Sequence, residues 1–225
     1  SLTWSKTMAS GRYKFVAEVH AHRMLRQVEN KSDILELLNT GYDLDGSLLS
    51  CKGYNYGFGL QLIKQTGRLT GWVSYALTKA PRLIEGWGDN SYHPARHERP
   101  HELNVVASWR AGKRWSAGAT FVLATGTPFT PIRQLFVLQN WMVCEYAPYN
   151  SGRLKPYLRL DLCATYQFKP KKHRQSSLTF SVFNATMANN EVCYTLKFYK
   201  DHVSYRSASL VMPILPSISY TLKLH

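Results

Sequence analysis

The sequence predicts an all-β fold, an antiparallel sheet of the kind that crosses a membrane as a barrel. Three observations carry that expectation. Apolar and polar residues alternate with period two in runs of about ten residues, and helical periodicity is nearly absent. Short and long connections between the runs alternate strictly. The wet side of the runs holds small residues more than Lys and Glu.

Size and composition set the outer bounds. The chain has 225 residues, and 44% hydrophobic with 13% aromatic content excludes a disordered chain. No apolar run approaches the ~20 residues of a membrane helix. The longest, Leu210 to Leu215, spans six residues and contains Pro213. Beginning at Ser1, without Met or an apolar leader, the sequence reads as a processed chain or a fragment.

The strands follow in order. Leu2 to Met8 reads as the tail of a first strand. Residues 12–26 place Tyr13, Phe15, Ala17, Val19 and Ala21 on one side, and Lys14, Val16, Glu18, His20 and His22 on the other. Residues 53–65 and 69–79 come next. In the second, Leu69, Gly71, Val73, Tyr75 and Leu77 oppose Thr70, Trp72, Ser74, Ala76 and Thr78. Residues 101–111 set Leu103, Val105, Ala107 and Trp109 against Asn104, Val106, Ser108 and Arg110, and 115–126 follow. The clearest run lies in 156–168, with Leu158, Leu160, Leu162, Ala164, Tyr166 and Phe168 opposite Arg159, Asp161, Cys163, Thr165 and Gln167. Residues 177–187 and 213–224 complete the set; between Ser217 and Leu224 the even positions are apolar.

The connections are tight at Ser10-Gly11, Thr66-Gly67-Arg68, Gly112-Lys113-Arg114 and Lys169–Ser176, and long at 27–52, 80–100, 127–155 and 188–212. Loops beyond ~12–15 residues are uncommon in compact domains. Four of them at one end of a sheet match an outer-membrane barrel, with short turns on the periplasmic side and long loops outside. Trp109, Trp115, Tyr166, Phe168, Tyr75 and Tyr220 stand near the ends of apolar faces, as interfacial girdles require. A soluble β-sandwich also alternates, but usually has short turns at both ends. Eight strands can close a small barrel packed with side chains. Here the inward candidates are small (Gly57, Gly59, Ser74, Ala76, Ser108, Gly118, Ser217, Ser219), which fits a wider barrel filled by water or another domain. The chain is therefore expected to be part of a larger barrel.

Several blocks carry a family resemblance. The run from Tyr54 to Lys79 (YNYGFGLQLIKQTGRLTGWVSYALTK) is followed by Arg99–Val106, Ala124–Thr130, Pro156–Leu162, Phe180–Asn184 and Ile214–Tyr220. In this order they resemble the C-terminal barrel of TonB-dependent outer-membrane receptors, of the type with an N-terminal carboxypeptidase-regulatory-like domain. The resemblance covers residues 12–224. Pro100 departs from it, standing where the family has Arg or Lys before the His. It implies that all of 1–225 forms the last eight or nine strands of a 22-stranded barrel in a Gram-negative outer membrane. It also implies that the plug domain and TonB box lie outside this chain. The implied function is import of a scarce nutrient, such as a chelate, corrinoid, glycan or peptide. Implied partners are TonB acting through the plug, outer-membrane lipids and a surface lipoprotein lid. The alternative is a non-transporting barrel subunit that scaffolds an outer-membrane assembly.

Candidate site residues divide into two groups. Aromatic side chains in the long connections, Trp87, Tyr92, Phe129, Phe136, Trp141, Tyr146 and Tyr149, are the best candidates for gripping a sugar or flat chelate; they can equally pack to order a loop. Glu18, His20, His22, Arg110, Arg159 and Asp161 are expected on the polar wall facing the lumen. His20 and His22 share a face and could share a metal ion, but the plainer expectation is a polar wall and no metal site. Arg159 and Asp161 are expected to form a cross-lumen ion-pair ladder. Asp89, His93, His97 and Glu98 read as a solvated loop. No GxSxG or HExxH occurs, and no enzymatic activity or cofactor is expected. The four cysteines, Cys51, Cys144, Cys163 and Cys193, form no CxxC and allow three disulfide pairings without choosing one. The net charge is +14. Basic residues crowd the tight turns (Arg68, Lys113, Arg114, Lys169, Lys171, Lys172, Arg174) without stacking aromatics between them, which favours a rim near anionic lipid headgroups over nucleic acid.

Overall fold

A computed structural model describes residues 1–30, 48–86, 90–138, 141–170, 174–199, 203–209 and 214–224. Every regular element among them is a β-strand. Nine long strands form one antiparallel sheet: β1 (Leu2–Met8), β2 (Tyr13–Asn30), β3 (Leu48–Lys64), β4 (Leu69–Lys79), β7 (His101–Arg110), β8 (Trp115–Ala124), β13 (Tyr157–Gln167), β14 (Arg174–Phe183) and β17 (Leu215–Leu224). Each pairs with the next long strand in the chain. They correspond to the nine expected runs, but β2 and β3 continue into the expected 27–52 connection as far as residue 30 and from residue 48, and β14 begins inside the expected Lys169–Ser176 turn. The long connections carry eight further short strands, which the sequence reading left as loops. They are β5 (Pro81–Ile84), β6 (Tyr92–Pro94), β9 (Pro128–Phe129), β10 (Ile132–Leu138), β11 (Trp141–Tyr146), β12 (Gly152–Arg153), β15 (Cys193–Phe198) and β16 (Val203–Ala208).

The sheet is open. β1 and β17 are its two edges and do not pair with each other, so no closed barrel forms within the described residues. No second sheet covers either face: the substantial contacts between described elements are those between hydrogen-bonded neighbours. The layered packing of a sandwich is therefore absent among them.

Register carries the alternation across the whole width. Leu2 pairs with Val19, Val19 with Phe58, Phe58 with Leu77, and Leu62 with Val73. Val73 continues to Val105, Val105 to Phe121, and Phe121 to Leu160. Ala164 pairs with Phe180, and Phe180 with Ile218. Directly opposed residues share a face. One face of all nine strands is thus predominantly apolar and the other predominantly polar, because a one-residue slip would invert every side chain. The apolar face is uncovered: Leu60, Leu62, Val73, Phe180, Ile218 and Leu222 are all exposed.

Local chemistry explains the turns and ends. Ser10 (φ 51°) and Gly11 (φ 86°) supply the two positive φ values of a type I′ turn, and Arg12 N–H donates to the Ala9 carbonyl at 3.1 Å. β14 stops at Phe183, short of the expected 187, because Asn184 (φ 51°) and Met187 (φ 52°) turn the chain and Met187 N–H closes on Asn184 O at 2.9 Å. Gly71 sits inside β4 at φ 150°, where a Cβ would lie 2.0 Å from the Val106 carbonyl oxygen. Only glycine lets β4 and β7 approach that closely.

The buried residues gather at one end. Cys51, Ala80, Ile84, Ala95, Ala124, Tyr149, Leu154 and Cys193 are buried, with the polar residues Arg82, Glu98, Asn150, Asn184 and Asn190 among them. All lie in the long connections or the strand ends that feed them. The short strands extend the hairpins there: β5 pairs with the upper part of β3, β6 with β5, β9 with β12, β10 with β11 and β15 with β16.

Candidate functional site at the long-loop end

The six wall candidates lie on the more polar face of the sheet. His20 pairs with Gly57, Glu18 with Gly59 and His22 with Asn55. A Cβ on Gly57 would meet Leu77 O at 2.2 Å and the His20 ring at 3.2 Å, so the glycine makes room for both. The His20 and His22 rings lie 5.9 Å apart. Among the described residues no three His, Cys, Asp or Glu side chains converge to hold a metal ion. Arg159 and Asp161 form an ion pair at 3.1 Å along one strand rather than across a lumen. Period two brings them together on one face of β13. Asp161 Oδ1 also accepts the Asn184 N–H at 3.0 Å, and the Arg159 guanidinium sits 5.0 Å from the Phe183 ring centre. Arg110 lies at the opposite end, donating to Gly67 O in a tight turn at 3.0 Å. Ile63, Trp72 and Val106 are register neighbours on this polar face and form an apolar island that alternation alone did not flag.

The long connections are held together by buried polar links between residues far apart in sequence. Glu98, expected in a solvated loop, is 4% exposed. Its Oε2 accepts the Ala80 N–H at 2.7 Å and its Oε1 pairs with Arg153 Nη2. Arg153 Nη1 also donates to the carbonyls of Glu98 and Gly126. Burying a carboxylate is costly, and the guanidinium with one backbone N–H compensates it. Asn150 Nδ2 donates to Pro94 O at 2.9 Å, again joining the 80–100 and 127–155 connections. His97 is exposed and His93 bonds Ser91; Asp89 lies outside the described residues.

The third connection is tied in the same way. Asn190 brackets Leu158, accepting its N–H and donating to its C=O. Glu191 is nearly buried and pairs with Lys155 Nζ at 2.9 Å, while accepting the Lys155 N–H at 3.2 Å. Burial opposes the charge on Glu191, but the bonds from Lys155 and Ser207 prevail and hold its carboxyl below the usual range. The same hydrogen bond raises Lys155. Arg82, 1% exposed, donates to Tyr54 O at 3.0 Å and approaches Glu29 at 3.7 Å.

The seven aromatic candidates have different placements. Trp87 lies outside the described residues, as does the side chain of Trp141, whose backbone pairs with Leu138. Tyr149 is 5% exposed, packed with Cys51 and Ile84 and edge-on to His93. Its phenol is pushed up to about 12 by burial, with Glu29 adding to the effect. It orders the loops rather than reaching out of them. Tyr92 shares a side with Leu83 and Lys52, and its ring lies 6.3 Å from Tyr54, on the apolar side of the sheet. Phe129 stacks on Tyr194 at 4.7 Å. Phe136 and Tyr146 are exposed on the β10–β11 hairpin. Of the seven candidates, Phe136 and Tyr146 are thus exposed on one hairpin and Phe129 is held in a separate stack with Tyr194.

Sequence reasoning missed the Glu98–Arg153 and Asn190–Leu158 links. Their partners are 55 and 32 residues apart, beyond any local pattern. Comparison with protein-family models, with curated proteins and with solved structures returns no match to this chain.

Proposed function

We propose that this chain is the C-terminal portion of the barrel of a TonB-dependent outer-membrane receptor, which imports a scarce nutrient through a plug-gated lumen. The observation that carries the reading is the uncovered apolar face, in register over nine strands. The accessible surface is 15451 Å². A compact monomer of this mass would expose about 10,500 Å². An open sheet exposes both faces, and the apolar one, with Leu60, Leu62, Val73, Phe180, Ile218 and Leu222 exposed, has no partner in water; hydrocarbon is the solvent that removes that cost.

Aromatic bands support the same reading. Near the tight turns, Trp115, Tyr166, Phe168 and Tyr220 form a chain of ring contacts at 5.0 to 6.4 Å. Near the long connections, Phe58, Tyr75 and His101 form another at 6.2 Å. From Leu158 to Phe168 the chain rises about 34 Å, which projects to about 26 Å at a barrel tilt of ~40°, close to the ~25 Å apolar band of such barrels. The open edges of β1 and β17 call for further strands to satisfy their backbone groups, since lipid-exposed sheet edges are not tolerated.

The test uses the full-length protein. It is expected in the outer-membrane fraction, with heat-modifiable migration, and its uptake of chelate, corrinoid, oligosaccharide or peptide is expected to require TonB. Recovery as a soluble monomer without detergent would overturn the membrane reading. An inserted barrel with no TonB-dependent uptake would leave the scaffold role instead.

A further inference from the structure

Within the apolar face, four alanines are register neighbours: Ala107 opposes Ala119, and Ala117 opposes both Trp109 and Ala164. The residues around them are large, including Trp109, Leu162 and Phe180. The result is a groove of about 400 Å³ whose lining is almost wholly apolar. Cavities of a few hundred Å³ are ligand-sized. Its lower end meets the tight-turn rim. Two residues beyond Ala164, about 7 Å along the strand, Tyr166 contacts Trp115 at 5.0 Å and accepts a hydrogen bond from Arg114 Nη1 at 3.4 Å.

The charge of that rim is one-sided. Residues 1–17, 60–74, 105–120, 162–180 and 217–225 hold thirteen Lys and Arg and no Asp or Glu. The fourteen acidic residues all lie elsewhere. An apolar trough ending at a guanidinium in an acid-free rim is complementary to a lipid with an anionic headgroup. An uncharged lipid would gain from the trough alone, and a soluble anion would gain from the rim alone.

We propose that this groove is a retained-lipid site on the tight-turn side of the membrane, taking one acyl chain of an anionic phospholipid while Arg114, with Lys113 beside it in the turn, meets the phosphate. The proposal rests on the membrane reading above and adds a specific lipid to it. The experiment reconstitutes the full-length protein in phosphatidylcholine vesicles with trace spin-labelled phosphatidylglycerol or spin-labelled phosphatidylcholine, and reads the immobilised lipid fraction by electron paramagnetic resonance.

Wild type is expected to hold phosphatidylglycerol in preference to phosphatidylcholine. Arg114→Gln is expected to reduce that preference about fivefold, the worth of one basic residue at an anionic surface. Ala119→Phe fills the groove from the lipid side, where folding is not disturbed, and is expected to abolish the retained fraction. Equal retention of both lipids, or a preference that survives both substitutions, overturns the site. Heat-modifiable migration of the same samples separates the two levels. Loss of insertion counts against the membrane reading, whereas an inserted barrel without lipid preference counts against the groove alone.

Discussion

Glu98→Ala is the sharpest test of how the long connections are held together. The substitution removes both carboxylate oxygens from a side chain that is 3% exposed. The Ala80 N–H, on a residue 2% exposed, loses its acceptor, and Arg153 loses its counter-charge. An unsatisfied buried donor costs about 1–3 kcal/mol. A broken buried ion pair costs about 3–5 kcal/mol. The Arg153 side chain is 32% exposed and can recover water, so the second figure is discounted and a total of about 3 kcal/mol is expected. The loss is local, because the described partners of the Glu98 carboxylate, Ala80 and Arg153, lie in the long connections. Hydrogen exchange read residue by residue is the assay. Amides at Ala80, Ala95 and Leu154 are expected to exchange about a hundredfold faster, while those of β4 and β8 stay unchanged. Unaltered exchange at Ala80, or a uniform rise throughout the sheet, would refute the lock. Glu98→Gln keeps an acceptor for Ala80 and is expected to cost less than half as much.

Four further outcomes follow from the same structure. Gly71→Ala forces a Cβ to 2.0 Å from Val106 O and is expected to cost about 3 kcal/mol or more, whereas Gly59→Ala meets open space and is expected to be near neutral; denaturant midpoints of the refolded full-length protein distinguish them. Leu162→Arg on the apolar face is expected to cost about 2–4 kcal/mol in a bilayer and Thr165→Arg on the polar face much less; equal effects would count against lipid on one side only. The Glu191 carboxyl is depressed in the folded state, so its contribution is present above the unfolded value and lost as pH falls through the folded one; Lys155 is raised, so its share persists until pH rises past its ordinary range. Protection of the Lys155 amide should therefore collapse only under acid or strong alkali, and Glu191→Gln should remove the acid limb. Tyr149 keeps its proton to about 12 while the unfolded phenol titrates near 10, so stability falls as pH rises between these values, and Tyr149→Phe should delete that slope and the highest-pH step in the tyrosinate absorbance.

Alternation made the sheet legible from the chain alone. Nine strands with the right faces follow from period two, because successive side chains of a strand point to opposite faces of the sheet. Tight turns were equally plain, since Ser10-Gly11 and Gly67 are residue types that turns demand. The eight short strands in the long connections were not, because they are two to seven residues long and stabilised by the hairpins beneath them rather than by their own pattern. The same lack of local pattern explains Glu98. A Glu between His97 and Arg99 reads as solvated until the fold brings Arg153 and Ala80 to it.

Sequence by itself determined the long strands, their facing and the unequal lengths of the two sets of connections, for those depend on neighbours one or two residues away. Tertiary structure alone decided which side chains of the long connections are buried. Tyr149 turned inward to the Cys51–Ile84 cluster, Tyr92 went to the apolar side beside Tyr54, and Phe129 stacked on Tyr194. All three are aromatic residues in long connections, and nothing within a few residues separates them. Their fates are set by contacts with residues far away along the chain, beyond the reach of any local pattern.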